Sequence, residues 1–177
     1  MDSRLQEMLD HHEIRKTLTE YCHGCDRCDE AHMASVYLQD SWDDHGRIKA
    51  RGWDFARLMT AEILRRTKTL SHLLGQSLIR ISGDEAGVET YFIAVQLRSD
   101  NGEEMCDQLG GRYLDKLQRE HDRWLIKHRV VVRDWSISLS VGRDNFVSSG
   151  LKDGFRSNED PSYAMLGLTH GSARTDG

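Results

Sequence analysis

The stretch LSHLLGQSLIRISGDEAGVETYFIAVQLRSDNG, residues 70–102, decides the fold. From Leu70 to Ser82, and again from Gly87 to Arg98, β-branched, aromatic and alternating residues dominate, while Ser82-Gly83-Asp84 and Asp100-Asn101-Gly102 are turn chemistry. Two more runs of the same kind follow, Met105–Arg119 and Arg123–Trp135, parted by Glu120-His121-Asp122. Connections this short predict antiparallel neighbours, because a parallel pair needs a crossover of a dozen or more residues.

Upstream of residue 68 the period is helical. Leu5, Met8, Leu9, Ile14, Leu18, Tyr21, Cys22 and Cys25 fall three to five apart and make one apolar stripe, with Gly24 near its end. Asp29 stands as an N-cap before a short second helix, Glu30–Leu38. Asp40–Gly52 is polar and turn-rich, with a short strand expected around Asp44–Ile48, and Phe55, Leu58, Met59, Ile63 and Leu64 mark a third helix from Trp53. Helices followed by a long meander predict an α+β fold, a sheet wrapped on helices with a cavity between the layers. Residues 1–141 are read as one domain. Residues 142–177, rich in Gly, Ser, Asp and Asn, are read as a tail that covers a pocket or serves as an oligomer arm.

The 177 residues carry 24 Lys and Arg against 29 Asp and Glu, a formal charge of −5, so neither nucleic acid nor an anionic membrane is an expected partner. No apolar run approaches the ~20 residues of a membrane span, and the first residues have no hydrophobic signal core, so a cytoplasmic location is expected. Cys22, Cys25 and Cys28 could offer soft metal ligands, yet only Cys106 remains elsewhere, and small buried thiols are the expectation; no metal is assigned. Gly-rich phosphate loops after a strand and Gly-x-Ser-x-Gly elbows are absent from the sequence, which removes support for nucleotide and serine-hydrolase chemistry.

Histidine is the side chain best placed to move protons near neutral pH, and the chain has nine. His72 shares the parity of Leu70 and Leu74 and so faces a covered side of the sheet. Asp26 sits at the exit of the first helix, Tyr21 one and a half turns earlier, His45 in the polar segment, and Arg133 in the apolar run Val130–Trp135. On the residues alone each keeps an inert alternative: a hydrogen-bonded strand histidine, or an arginine held in an ion pair.

Taken together, Ile14–Tyr21, Cys25–Asp29, Asp43–Gly46, Ser71–Gly75 and Trp124–Trp135 resemble SnoaL-like proteins of the cystatin-like, nuclear-transport-factor-2-like superfamily, over roughly residues 8–137. The resemblance implies a cone, a strongly curved antiparallel sheet closed by N-terminal helices around an apolar pocket. It also implies one of two roles, since the superfamily holds cofactor-independent lyases and purely structural subunits. Its bile-acid dehydratases and hexachlorocyclohexane dehydrochlorinases pair an Asp at the end of the first helix with a His in the first long strand, and Asp26 and His72 fall on those positions. Tyr21, five residues before Asp26, and Arg133, nine after Trp124, match two further site residues of the bile-acid enzyme. His45 stands where that enzyme has a tyrosine.

What the resemblance implies is a lyase without cofactor, of dehydratase, dehydrohalogenase or formaldehyde-releasing type, acting on a hydrophobic aromatic or polycyclic molecule. His72, Asp26, Tyr21 and Arg133 are its expected catalytic residues. His45, Tyr91, Leu74 and Leu109 are expected at the substrate, with Phe92, Val95 and Val131 as further lining, and the assembly is expected to be a homodimer or homotrimer. The alternative is a non-catalytic ligand-binding or subunit-associating cone, for which Trp42, Trp53, Trp124 and Trp135 would serve as interface residues.

Overall fold

In the computed structural model, residues 2–142 and 149–171 are described. Helix α1 (Ser3–Arg27) starts at Asp2, whose carboxylate accepts from the Arg4 N–H at 2.8 Å. It ends where Cys28 turns left-handed at φ 53° and the Asp29 N–H reaches back to the Gly24 carbonyl at 2.8 Å, the paired backbone bonds of a Schellman stop. Asp29 then caps α2 (Glu30–Ala34) through the His32 N–H. The close packing of these two helices requires Gly24, since a Cβ there would stand 2.7 Å from the Met33 nitrogen.

The second helix stops at Ala34 rather than continuing to Leu38, because Tyr37 already belongs to β1 (Tyr37–His45). That strand lies parallel to β6 (Arg123–Ser140), with Tyr37 opposite Ile126 and Asp43 opposite Arg129. The partnership joins segments more than eighty residues apart, so local periodicity carries no trace of it. β2 (Ile48–Ala50) turns back on β1, and α3 (Gly52–Arg66) follows.

The four long runs are β3 (Thr69–Ser82), β4 (Glu85–Asp100), β5 (Glu103–Glu120) and β6, each antiparallel to the next. The sheet order is β2-β1-β6-β5-β4-β3, which leaves β3 at an edge. Register shifts at Leu74/Ser77, Gly110/Gly111 and Lys116/Leu117 bend the long strands. The sheet therefore curves around the helices in a cystatin-like α+β cone.

Pairing defines the inner face row by row. Leu70, Gln96, Asp107 and Ser138 form one row, His72, Ala94, Leu109 and Ser136 the next, and Leu74, Phe92, Gly111 and Arg133 the third. Deeper, Ile79, Val88, Tyr113, Leu117 and Ile126 pack against Ile14, Leu18, Tyr21, Met33 and Phe55 from the helices. Trp124 is completely buried, its indole N–H donating to Asp10 at 3.1 Å, whereas Trp42, Trp53 and Trp135 are exposed.

Of the tail 142–177, residues 143–148 and 172–177 lie outside the described residues, including Phe146 and Val147. The described part docks on the helical layer of its own chain. Arg27 donates to Asp160 at 2.8 Å, Tyr163 is buried with its hydroxyl on Asp29 at 3.0 Å, and Arg156 donates to the Thr67 carbonyl at 2.9 Å. Gly154, Phe155 and Arg156 face Asp26 and Lys68–Ser71 across a groove of about 300 Å³. No helix among the described residues is long and apolar enough to cross a membrane.

Candidate active site

Asp26 occupies the last turn of α1, where the helix passes beside the edge strand β3. Its Oδ1 accepts from His72 Nδ1 at 2.6 Å and its Oδ2 accepts from the His72 backbone N–H at 2.9 Å. An edge strand has N–H groups with no ladder partner, and here one of them is used to orient a carboxylate. An ionised carboxylate only accepts, so Nδ1 carries a hydrogen, and in the neutral imidazole the lone pair is on Nε2. Both side chains are nearly enclosed, and Nε2 makes no hydrogen bond among the described residues.

A second Asp and His pair lies on β1. His45 Nδ1 donates to Asp43 Oδ1, and the other oxygen of Asp43 accepts from the Tyr37 hydroxyl at 2.5 Å. His45 Nε2 is 3.3 Å from the Tyr21 hydroxyl, and its ring stacks on Phe55 from α3 at 4.6 Å. Aromatic rings connect the two pairs. His72 is 6.3 Å from Phe92, Phe92 stacks on Tyr113 at 4.2 Å, and Tyr113 meets Tyr21 edge-on at 5.7 Å. Burial pushes the Tyr21, Tyr37 and Tyr113 phenols well above their ordinary range, so all three stay protonated.

Two residues that sequence reading did not single out hold this floor from below. Arg129 is fully buried, forms a two-bond pair with Asp115 at 2.7 and 2.8 Å, and places its guanidinium 4.2 Å from the ring centres of both Tyr21 and Tyr113. Its Nη1 has no hydrogen-bond partner among the described residues. The charge in the run Lys127–Arg133 was visible, but which arginine turns inward depends on the register shift at Lys116/Leu117. Asp43 was likewise hidden in a segment read as polar loop.

The structure brings together Tyr21 and His45 in one contact and Asp26 and His72 in another. Leu74 and Leu109 are half-buried on the inner face, as are Ala94 and Val131, beside the buried Phe92. Tyr91 pairs with Arg112 and is exposed, because strand alternation sends it opposite to Phe92, and with Leu74 and Phe92 it lines a cavity of about 530 Å³ at the β3 edge. Val95 sits on the same face as Tyr91, opposite Gln108. Arg133 stands in the inner row of Leu74 and Phe92 but at the exposed rim, donating to the Ser136 hydroxyl at 3.2 Å. Cys22, Cys25 and Cys28 are buried free thiols, and burial pushes Cys22 up to about 12. Among the described residues, no group of three or more His, Cys, Asp and Glu is arranged to hold a metal ion.

Helices, curved six-stranded sheet and inward-facing polar pairs define an α+β cone of the cystatin-like, nuclear-transport-factor-2-like class. The family model of the SnoaL-like domain matches residues 6–130, most of the chain, and the protein belongs to that family. Among solved structures, a candidate scytalone dehydratase of Novosphingobium aromaticivorans superposes with a TM-score of 0.67 at 20% identity, covering 86% of this chain and 99% of the other. A hexachlorocyclohexane dehydrochlorinase of Novosphingobium barchaimii gives 0.69 at 15% identity over 77% and 94%. A Nostoc punctiforme protein of unknown function with a cystatin-like fold gives 0.57 at 19% identity over 71% and 92%. These likenesses show the fold. No functionally curated protein matches the chain by sequence.

Proposed function

We propose that the protein is a cofactor-independent lyase acting on a hydrophobic aromatic or polycyclic small molecule, with His72 as general base. The observation that carries this reading is the double grip of Asp26 on His72, which fixes the Nδ1–H tautomer and leaves the Nε2 lone pair free. His72 takes a proton from a substrate carbon, Asp26 stabilises the resulting imidazolium, and the electrons of the broken C–H bond expel a leaving group from the neighbouring carbon. Such base catalysis contributes typically 10²–10⁴-fold, and the rest of the acceleration comes from positioning and charge stabilisation.

The inner-face residues Leu74, Ala94, Leu109, Phe92 and Val131 supply an apolar, partly aromatic surface, which favours a flat hydrophobic substrate. Arg133 at the rim meets developing negative charge or a substrate carboxylate, Tyr21 serves the leaving group, and His45 flanks it. The dehydratase and dehydrochlorinase names among the structural neighbours agree with an elimination. On the outer face Leu73, Tyr91, Ile93, Trp135, Ile137 and Leu139 are all exposed, an apolar area of the kind that copies of a chain bury against one another, which supports a homodimer or homotrimer.

The test is a screen of hydroxylated, halogenated and lignin-type aromatic compounds for elimination or formaldehyde release, with wild type beside His72→Ala. Product formed by the wild type and reduced at least a hundredfold in the variant is expected. A confirmed activity that survives His72→Ala at near the wild-type rate would remove the base from this reading.

A further inference from the structure

The two Asp and His pairs are built alike but end differently. In each, a carboxylate holds Nδ1. The Nε2 of His72 makes no hydrogen bond among the described residues, while the Nε2 of His45 is committed to the Tyr21 hydroxyl. They stand at opposite ends of the same Phe92 and Tyr113 floor. A free lone pair suits the taking of a proton. An imidazole wired to a phenol suits the giving of one, because a phenol has a single hydrogen and can pass it on only if another donor replaces it.

We propose that Asp43, His45 and Tyr21 form an acid arm opposite the Asp26 and His72 base, delivering a proton to a leaving hydroxyl. The proposal rests on the lyase reading above and adds its second proton-transfer step. Tyr21 is the catalytic residue of this arm, since its oxygen meets the leaving group; His45 and Asp43 are positioning residues that act through it. The arm is loaded when His45 carries a hydrogen on each ring nitrogen, Nδ1–H donating to Asp43 and Nε2–H donating to the phenol oxygen. The phenol hydrogen is then free for the substrate.

The balance closes. His72 removes the proton α to an electron-withdrawing group, the C–H electron pair becomes the new C=C bond, and the C–O bond breaks with its pair on oxygen. That hydroxyl takes the Tyr21 hydrogen and leaves as water, and Tyr21 recovers a hydrogen from His45 Nε2. His72 ends protonated and His45 neutral, and one proton exchanged through solvent restores both.

The surroundings fit an arm that holds charge. Asp43 is fully buried and keeps its second oxygen on the Tyr37 hydroxyl, so its charge is directed at His45. The groups packed about the arm are Tyr21 and the buried Cys25 thiol from α1, Tyr37 and Asp43 from β1, Phe55 from α3, Tyr113 from β5 and Arg129 from β6, the last neutralised by Asp115. Burial keeps the Tyr21 phenol protonated, a donor rather than a phenolate. The 3.3 Å separation of Tyr21 and His45 is long enough to tighten when the phenol turns toward a substrate.

The experiment uses two probes with the same acidic C–H, the β-hydroxy and β-chloro dihydrochalcones, both of which eliminate to chalcone. Chloride leaves without a proton, and hydroxide does not. Tyr21→Phe and His45→Gln are expected to lower kcat on the hydroxy probe by about 10²-fold, within the usual range for a general acid, and at least tenfold less on the chloro probe. Asp43→Asn should show the same leaving-group bias. Tyr21→Phe removes only one oxygen from a packed ring, so it answers the question even if His45→Gln unfolds. Equal losses on both probes overturn the acid arm while leaving the base in place. A wild type that eliminates from neither probe and exchanges no α-hydrogen of either in D2O overturns the lyase reading itself.

Discussion

Asp26 holds His72 at two places at once, the ring through Nδ1 at 2.6 Å and the main chain through its N–H at 2.9 Å. The imidazole is thereby fixed in tautomer by one oxygen and the strand edge in position by the other. Asp26→Asn separates these roles. The amide oxygen can still accept from the backbone, but the amide NH2 then faces Nδ1, which favours the tautomer with hydrogen on Nε2 and abolishes the base. We expect a folded protein whose kcat is reduced by about 10²–10⁴-fold with KM changed much less. A wild-type kcat in Asp26→Asn would show that the carboxylate does not set the tautomer.

Arg129 and Asp115 illustrate a buried pair whose value lies in being complete. Both are enclosed, and the guanidinium sits over Tyr21 and Tyr113. Asp115→Ala leaves a buried cation without its partner and is expected to cost roughly 3–5 kcal/mol in urea unfolding. Replacing both together, Asp115→Leu with Arg129→Met, is expected to cost less than Asp115→Ala alone, because no charge is stranded. Strict additivity of the two single losses would contradict a coupled pair.

Much of this architecture was legible in the chain. The alternation after Leu70 and the turns at Gly83, Gly102 and Asp122 announced four antiparallel strands, and the parity of His72 with Leu70 and Leu74 placed it inside. The pairing of Asp26 with His72 came from a family resemblance, and they meet because the Schellman stop at Cys28 ends α1 just where β3 passes. The remainder depended on long-range register. The face on which Tyr91 stands was not legible, because a strand with apolar residues on both faces does not reveal which face is inner. Asp43 and Arg129 were missed because β1 joins β6 in parallel, and only that pairing sets Asp43 opposite Arg129.

His23 makes stability sensitive to acid. Burial, helped by the nearby His32 and Arg27, pulls its pKa below the ordinary value near 6.5, against the opposing pull of Glu20 and Asp29, and its buried Nε2 has no hydrogen-bond partner among the described residues. The fold prefers the neutral ring, so below about pH 6.5 the unfolded chain binds a proton that the native state resists. The contribution is fully present above pH 6.5 and is lost as pH falls toward the depressed native value. His23→Gln should flatten the decline in the urea midpoint between about pH 7 and pH 5. An unchanged slope would mean that other groups carry the acid sensitivity.

Adjacent glycines of β5, facing the bulge at Asp134 of β6, should respond differently to the same added methyl group. A Cβ on Gly110 would lie 2.1 Å from the Trp135 indole on the outer face, and one on Gly111 would lie 2.1 Å from the Val132 carbonyl oxygen and 3.3 Å from the Phe92 ring on the inner face. An indole that is partly exposed can rotate away, whereas a paired backbone cannot. Gly110→Ala is expected to cost about 1–3 kcal/mol, and in a Trp135→Ala background that cost should largely vanish. Gly111→Ala should be the more damaging substitution, and no side-chain truncation should relieve it, because the obstacle is main chain. Since Phe92 carries Tyr113 in its stack, Gly111→Ala should also lower elimination activity, and Gly110→Ala should leave it near wild type. Urea midpoints and kcat measured on Gly110→Ala, Gly111→Ala and Trp135→Ala and on the two double variants decide the matter; rescue of Gly111→Ala by Trp135→Ala would show that the two faces of the bulge are not separated as the register requires.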